Sequence, residues 1–194
     1  MAKLIGTKKI NLAVFISGAG SNLKNLIKHS LKKNSKFRIC VVLSNNSKAK
    51  GLNYAKQHKI HNKIINYKNI KSAEKNILIE LKKNKVKLIC LAGFMKILSK
   101  DFIKKFKGKI LNIHPSLLPK YKGLNTHQRA LDNKDKFTGC TVHYVNSKLD
   151  SGKIILQKKV KIFKSDTRKK IKKRVLKQEH FIYPMALQKV LVNH

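Results

Sequence analysis

Apolar positions along this chain fall into two alternating periods. Short continuous runs, NLAVFIS at 11–17, FRICVVLS at 37–44 and KLICLA at 87–92, each end in small or polar residues. Strands buried on both faces read this way. Residues 22–33, 48–58 and 72–85 carry apolar side chains at helical spacing, with lysine on the other face. Strand and helix alternating at this interval predict a doubly wound parallel sheet. Residues 109–114 read as a further strand, stopped by Pro115. Beyond Gly139 the runs CTVHYV and KIILQKKVKIF alternate, which predicts a more antiparallel edge. A last helix is predicted to open at Ser165-Asp166-Thr167 and to bury Ile171, Val175, Ile182, Ala186 and Val190, with Pro184 kinking or interrupting it. No repeat or linker breaks the pattern, so one α/β domain is expected: a mostly parallel central sheet, helices on both faces and an antiparallel edge.

Ligands of such sheets bind at the carboxyl ends of the strands, so the segments that follow the strands carry the candidate chemistry. Ser17-Gly18-Ala19-Gly20-Ser21-Asn22 joins a strand to a helix, where glycines admit close approach and unpaired N–H groups suit an anion. It is no dinucleotide fingerprint, because Leu23 replaces the third glycine and no acid follows the second strand; nor does it end in the Lys-Ser/Thr of a P-loop. A phosphate outside a dinucleotide fits, and a tight turn without ligand remains the plain alternative. In Asn112-Ile113-His114-Pro115, the amide and the imidazole project from one strand face and suit a developing oxyanion; a structural histidine beside a turn is the alternative. Asp150, in the turn LDSG, would raise the pKa of His114 if the two meet, or else merely caps its turn. His143 and His127 are further candidates, for packing or support of the site. No metal-ligand spacing and no G-x-S-x-G elbow are present.

Composition changes this picture little. The formal charge of +38 raises the prospect of a nucleic-acid partner. Yet 42 of the 46 cations are lysine rather than the base-reading arginine, and they spread along the whole 194 residues. A solvated basic surface that attracts anionic substrates is the simpler reading. Cys40, Cys90 and Cys140 lie singly inside apolar runs, as small core residues in a reducing compartment do. No apolar run nears the roughly 20 residues of a membrane span, and no export signal opens the chain. The expectation is therefore a cytoplasmic protein without a membrane partner.

Taken together, SGAGSNLKNLI, VVLSNN, LAGFMKIL, LNIHPSLLPKYKGLNTH, TVHYVNSKLDSGKIILQ and QEHFIYP resemble the phosphoribosylglycinamide formyltransferases, in order and spacing, from about residue 11 to 187. That resemblance implies a Rossmann-like domain that passes a formyl group from 10-formyltetrahydrofolate to the primary amine of glycinamide ribonucleotide, without a metal. It implies catalytic roles for Asn112, His114 and Asp150, with Asp150 keeping His114 protonated. Gly20, Ser21 and Asn22 would hold the substrate phosphate and Glu179 would touch the nucleotide. Met95, Lys96, Ile97, Leu98, Asn146, Ser147, Lys148 and Leu149 would line the folate site. Residues 1–95 would thus form a phosphate-binding half and 96–194 a folate and catalytic half, in a monomer or homodimer. Asn125 stands where the family often has histidine and Lys96 where arginine is common; Lys68 and Lys71 lie near the expected phosphate. A methionyl-tRNA formyltransferase-like domain resembles the chain at SLLP and LDSG, but the chain is short for a second, tRNA-binding domain. A basic nucleic-acid-binding module would not need Asn112, His114 and Asp150 together.

Overall fold

In the computed structural model, which describes residues 9–192, seven strands form one sheet in the order β3-β2-β1-β4-β5-β6-β7. In chain order the elements are β1 (Ile10–Ile16), α1 (Ser21–Ser30), β2 (Phe37–Ser44), α2 (Leu52–Gln57), β3 (His61–Ile64), α3 (Ile70–Lys83) and β4 (Leu88–Leu91). They continue with α4 (Lys100–Lys105), β5 (Lys109–His114), α5 (Thr126–Asp132), β6 (Phe137–Tyr144), β7 (Ile154–Lys161) and α6 (Arg168–Val192). β1 to β5 pair in parallel, whereas β6 runs antiparallel to both β5 and β7. The expected antiparallel edge is therefore made by one reversed strand.

β1 shows why the sheet is covered on both sides. Leu12, Val14 and Ile16 enter the core beneath α1, α2 and α6, while Ala13 and Phe15 enter the core beneath α3 and α4. All five are fully buried, as the alternation of side chains along a strand requires. Cys90 and Cys140 are buried in the first core, and burial pushes both thiols up to about 12, so they rest as inert thiols.

Three elements escape the sequence pattern. β3 reads HNKI, an edge strand with no apolar run, and α4 and α5 have only six and seven residues. The last helix corrects one half of the expectation about Pro184, the interruption: α6 continues from 168 to 192 with Pro184 inside it. Proline cannot donate to the carbonyl four residues back, at His180. The Asn25 side chain supplies that donor from α1, its Nδ2 lying 2.6 Å from the His180 oxygen. One turn further on the same helix, buried Tyr183 donates its hydroxyl to the Leu91 carbonyl at 2.9 Å, anchoring α6 over the end of β4.

Strand order reverses between β1 and β4, where the crossovers after these strands leave in opposite directions. That divergence opens a crevice at the carboxyl ends of the strands.

Candidate active site

A cleft of about 610 Å³ occupies this crevice. The expected catalytic, phosphate, nucleotide and folate residues all line it: Gly20–Asn22 after β1, Met95–Leu98 after β4, Asn112 and His114 on β5, Asn146–Asp150 after β6, and Glu179 on α6. Lys68 and Lys71 do not; the lysine on the α6 wall is Lys172, which the sequence reading missed.

The turn after β1 is shaped by glycine. Gly20 has φ +72°, and a Cβ there would stand 2.5 Å from the Cα of Gly51, so this position needs glycine for both conformation and space. The Gly51 N–H donates to the Gly18 carbonyl at 3.0 Å, which docks the turn on the entry to α2. Gly20 caps α1 without a side-chain bond, and no acid stands in the first helical turn. The N–H groups at the start of α1 therefore face the cleft end with their positive dipole uncompensated. Next to them, Asn22 donates through Nδ2 to Glu179 Oε2 at 2.7 Å, while Asn22 Oδ1 is buried without a partner. Burial pushes the Glu179 carboxyl up, against the opposing pull of Asn22 and Lys172. Two acceptors, one of them unsatisfied, thus wait for donors at this end.

At the floor, β5 and β6 place Asn112 directly opposite His143. Asn112 Nδ2 lies 3.2 Å from His143 Nε2 and 3.4 Å from Asp150 Oδ1. His143 Nδ1 contacts its neighbour's carbonyl, Tyr144 O, at 2.8 Å. His143 Nε2 is also 3.6 Å from Asp150 Oδ1. Sequence reading gave His143 only packing or support; the missing signal was strand register, which no single segment carries. Asp150 itself has φ +44°, a left-handed conformation uncommon outside glycine, and the Gly123 N–H holds its Oδ2 at 2.8 Å. Burial pushes the Asp150 carboxyl up, but His143, the Gly123 N–H and His114 outweigh it and leave it below the ordinary value.

His114 and Asp150 do meet, with Nδ1 to Oδ2 at 3.3 Å, and Nε2 faces the Tyr121 carbonyl at 2.8 Å. Asp150 pulls the His114 pKa up, as expected, but it is outweighed. Burial is the largest influence and lowers the His114 pKa; the Tyr121 carbonyl and Asp150 pull it back only in part, while His143 and Arg129 push it down. In the free protein the neutral imidazole is favoured, because the ring lies 5% exposed where a cation is poorly solvated.

His127 lines the α6 side, its Nδ1 buried and unpartnered, its pKa pushed down to about 4 by burial and by Lys172, Arg168 and His114. The opposite rim is apolar: Met95, Ile97, Leu124 and Leu149 all expose more than half of their surface. Among the described residues, no cluster of histidine, cysteine, aspartate or glutamate is arranged to hold a metal ion.

Fold and cleft together give an α/β domain with one amide–imidazole–carboxylate cluster set where parallel strands end. The chain belongs to the formyl transferase family, whose sequence pattern matches residues 10–187. It is 45% identical over 186 residues to the human trifunctional purine biosynthetic protein adenosine-3, covering 94% of this chain but only 18% of that protein. Phosphoribosylglycinamide formyltransferase of Haemophilus influenzae is 44% identical over 180 residues, 91% of this chain and 85% of its own length. The crystal structure of phosphoribosylglycinamide formyltransferase from Anaplasma phagocytophilum superposes with a TM-score of 0.91 at 39% identity, covering 96% of this chain and 88% of that one.

Proposed function

We propose that this enzyme transfers the formyl group of 10-formyltetrahydrofolate to the primary amine of glycinamide ribonucleotide, giving formylglycinamide ribonucleotide and tetrahydrofolate in purine synthesis. The observation that carries this reading is the position of the Asn112–His114–Asp150 cluster between two unlike ends of one cleft. One end offers helix N–H groups to a phosphate and the acceptors Asn22 and Glu179 to sugar hydroxyls. The other offers exposed apolar side chains to a flat ring, with Met95, Lys96, Ile97 and Leu98 on one wall and Asn146, Ser147, Lys148 and Leu149 on the other. In terms of the chain, residues 1–95 supply the phosphate turn and 96–194 the catalytic strands; Met95 and Glu179 each serve the half they do not belong to.

During transfer, Asn112 Nδ2 donates to the formyl oxygen as it gains negative charge. The amine nitrogen bonds to the formyl carbon and sheds one proton. The Asp150–His114 pair takes that proton, shared between Oδ2 and Nδ1, while His114 Nε2 keeps its bond to the Tyr121 carbonyl. A neutral resting imidazole is what this step needs, so the lowered pKa of His114 suits a proton acceptor. The proton then passes to the donor nitrogen as its bond to the formyl carbon breaks. Lys172 adds positive charge at the nucleotide end.

The enzyme acts on these two small molecules as a monomer or homodimer in the cytoplasm, without a specific nucleic-acid or membrane partner. Three free cysteines fit a reducing compartment, and no described helix is long and apolar enough to cross a membrane. The test is tetrahydrofolate release by the purified chain with both substrates. Release that requires glycinamide ribonucleotide supports the reading; release driven instead by a charged initiator tRNA favours the tRNA formyltransferase alternative.

A further inference from the structure

Three loops beside the cleft, at the ends of β1, β2 and β4, converge on one hydroxyl that the proposed chemistry does not use. Ser17, the first residue after β1, donates its Oγ–H to Asn45 Oδ1 at 2.5 Å and accepts the Met95 N–H at 2.7 Å. Its backbone is bound as well: the Ser17 N–H donates to the Gly93 carbonyl at 3.1 Å, and Asn46 Nδ2 donates to the Ser17 carbonyl at 3.0 Å. Ser17 therefore ties the start of the phosphate turn to the loop after β2 and to the segment after β4.

The segment 93–99 is fastened again at its far end. The buried carboxylate of Glu74 on α3 accepts the Ser99 N–H at 2.7 Å and the Ser99 hydroxyl at 2.5 Å. Between these two anchors, Met95 and Ile97 are 63% and 71% exposed, so their side chains gain little from packing. Phe94 touches Phe15 and Tyr67 edge to face, with ring centroids 5.3 and 5.8 Å apart. The Ser17 hydroxyl is thus the side-chain group that holds the Met95 N–H. A hydroxyl that donates and accepts at once is held in one rotamer, and Asn45 is the residue that aims its lone pair at Met95.

We infer that Ser17 is a positioning residue for the folate donor, setting the Met95–Leu98 wall at a fixed distance from the phosphate turn, with Asn45 fixing its orientation. This rests on the assignment of Met95–Leu98 to the folate end. Removing the hydroxyl leaves both backbone bonds of Ser17 intact, so the phosphate turn keeps its place while the Met95 N–H loses its acceptor. The effect should fall on one substrate.

The test is the split between the two KM values. Ser17→Ala is expected to raise KM for 10-formyltetrahydrofolate about tenfold, the cost of one lost hydrogen bond at an ordered site, while KM for glycinamide ribonucleotide moves less than about twofold. Ser17→Thr keeps the hydroxyl and should restore the folate value. Asn45→Ala should give a smaller shift of the same kind, and the double variant should be no worse than Ser17→Ala alone. Equal rises in both KM values, or no rise in the folate value, overturn the inference. Should Ser17→Ala fail to fold, Asn45→Ala carries the test by the same split. An unmodified chain that releases no tetrahydrofolate overturns the formyl-transfer reading itself; calorimetric binding of tetrahydrofolate to the same variants then decides the positioning claim separately.

Discussion

His114 stands where two influences oppose each other, and which of them wins decides what the residue can do at neutral pH. Burial favours the neutral ring; the carboxylate of Asp150 and the carbonyl of Tyr121 favour the charged one. Removing the carboxylate in Asp150→Asn should therefore lower the His114 pKa further, a shift that an NMR titration of the imidazole reads directly. An unmoved or raised value would show that the 3.3 Å contact carries no electrostatic coupling. The same substitution is expected to lower kcat by about a hundredfold or more, since the proton-holding pair is broken. Adding His114→Ala should then cost little beyond the worse single change. For the unaltered enzyme, kcat/KM should fall on acidification with a midpoint below the ordinary histidine value of about 6.5. An acid limb lying clearly above it would restore the charged resting form. Sequence alone showed that Asn112, His114 and Asp150 could meet; it could not show the sign of the shift, because desolvation depends on everything packed around the ring.

Among the elements, the strands were legible wherever an apolar run met a small or polar end, as in NLAVFIS and FRICVVLS. β3 was not, since an edge strand half open to water has no apolar run to display. α6 was placed from its cap and its buried stripe, Ile171 to Val190, but its behaviour at Pro184 depends on a residue some 160 positions earlier in the chain, Asn25. That dependence is testable by a double-mutant cycle. Asn25→Ala leaves the His180 carbonyl without its donor and should destabilise the fold by about 1–2 kcal/mol in denaturant melts. In a Pro184→Ala background, where a backbone N–H returns to meet that carbonyl, the same substitution should cost markedly less. Equal costs in the two backgrounds would mean that Asn25 contributes through α1 packing alone. The part played by Gly51, and the place of His143 beside Asn112, were hidden for the same reason as Asn25: their partners, Gly20 and Asn112, lie far away in sequence and meet them only in three dimensions.

For the whole molecule, the charge of +38 conceals an economy in its eight acids. Glu74 holds Ser99, Glu80 pairs with Lys63 and His61, Asp135 with Lys120 and Tyr121, and Asp166 with Arg174. Asp101 lies in the first turn of α4, Asp132 accepts from Gln128, and Asp150 and Glu179 stand in the cleft. Raising ionic strength should accordingly lower kcat/KM for both anionic substrates while kcat changes little, as screening weakens steering. Tight, salt-resistant binding of one RNA or DNA sequence would contradict this. Stability should also respond to acid. His29, His114, His127 and His180 all titrate below their ordinary value in the fold, so between about 6.5 and about 4 the unfolded chain binds protons that the native chain refuses. Glu179, raised by burial, acts in the opposite sense, one group against four. The melting temperature should therefore drop from pH 7 to pH 5, in high salt as well as low; a flat profile would show that these histidines protonate without cost. Among the described residues most acids are already engaged, although Asp101 is exposed, so two copies of this chain meet with few carboxylates to offer each other's lysines. Any contact between them must form against mutual repulsion, through apolar side chains or backbone. Self-association should accordingly strengthen as salt is added, under the same conditions that are expected to lower kcat/KM.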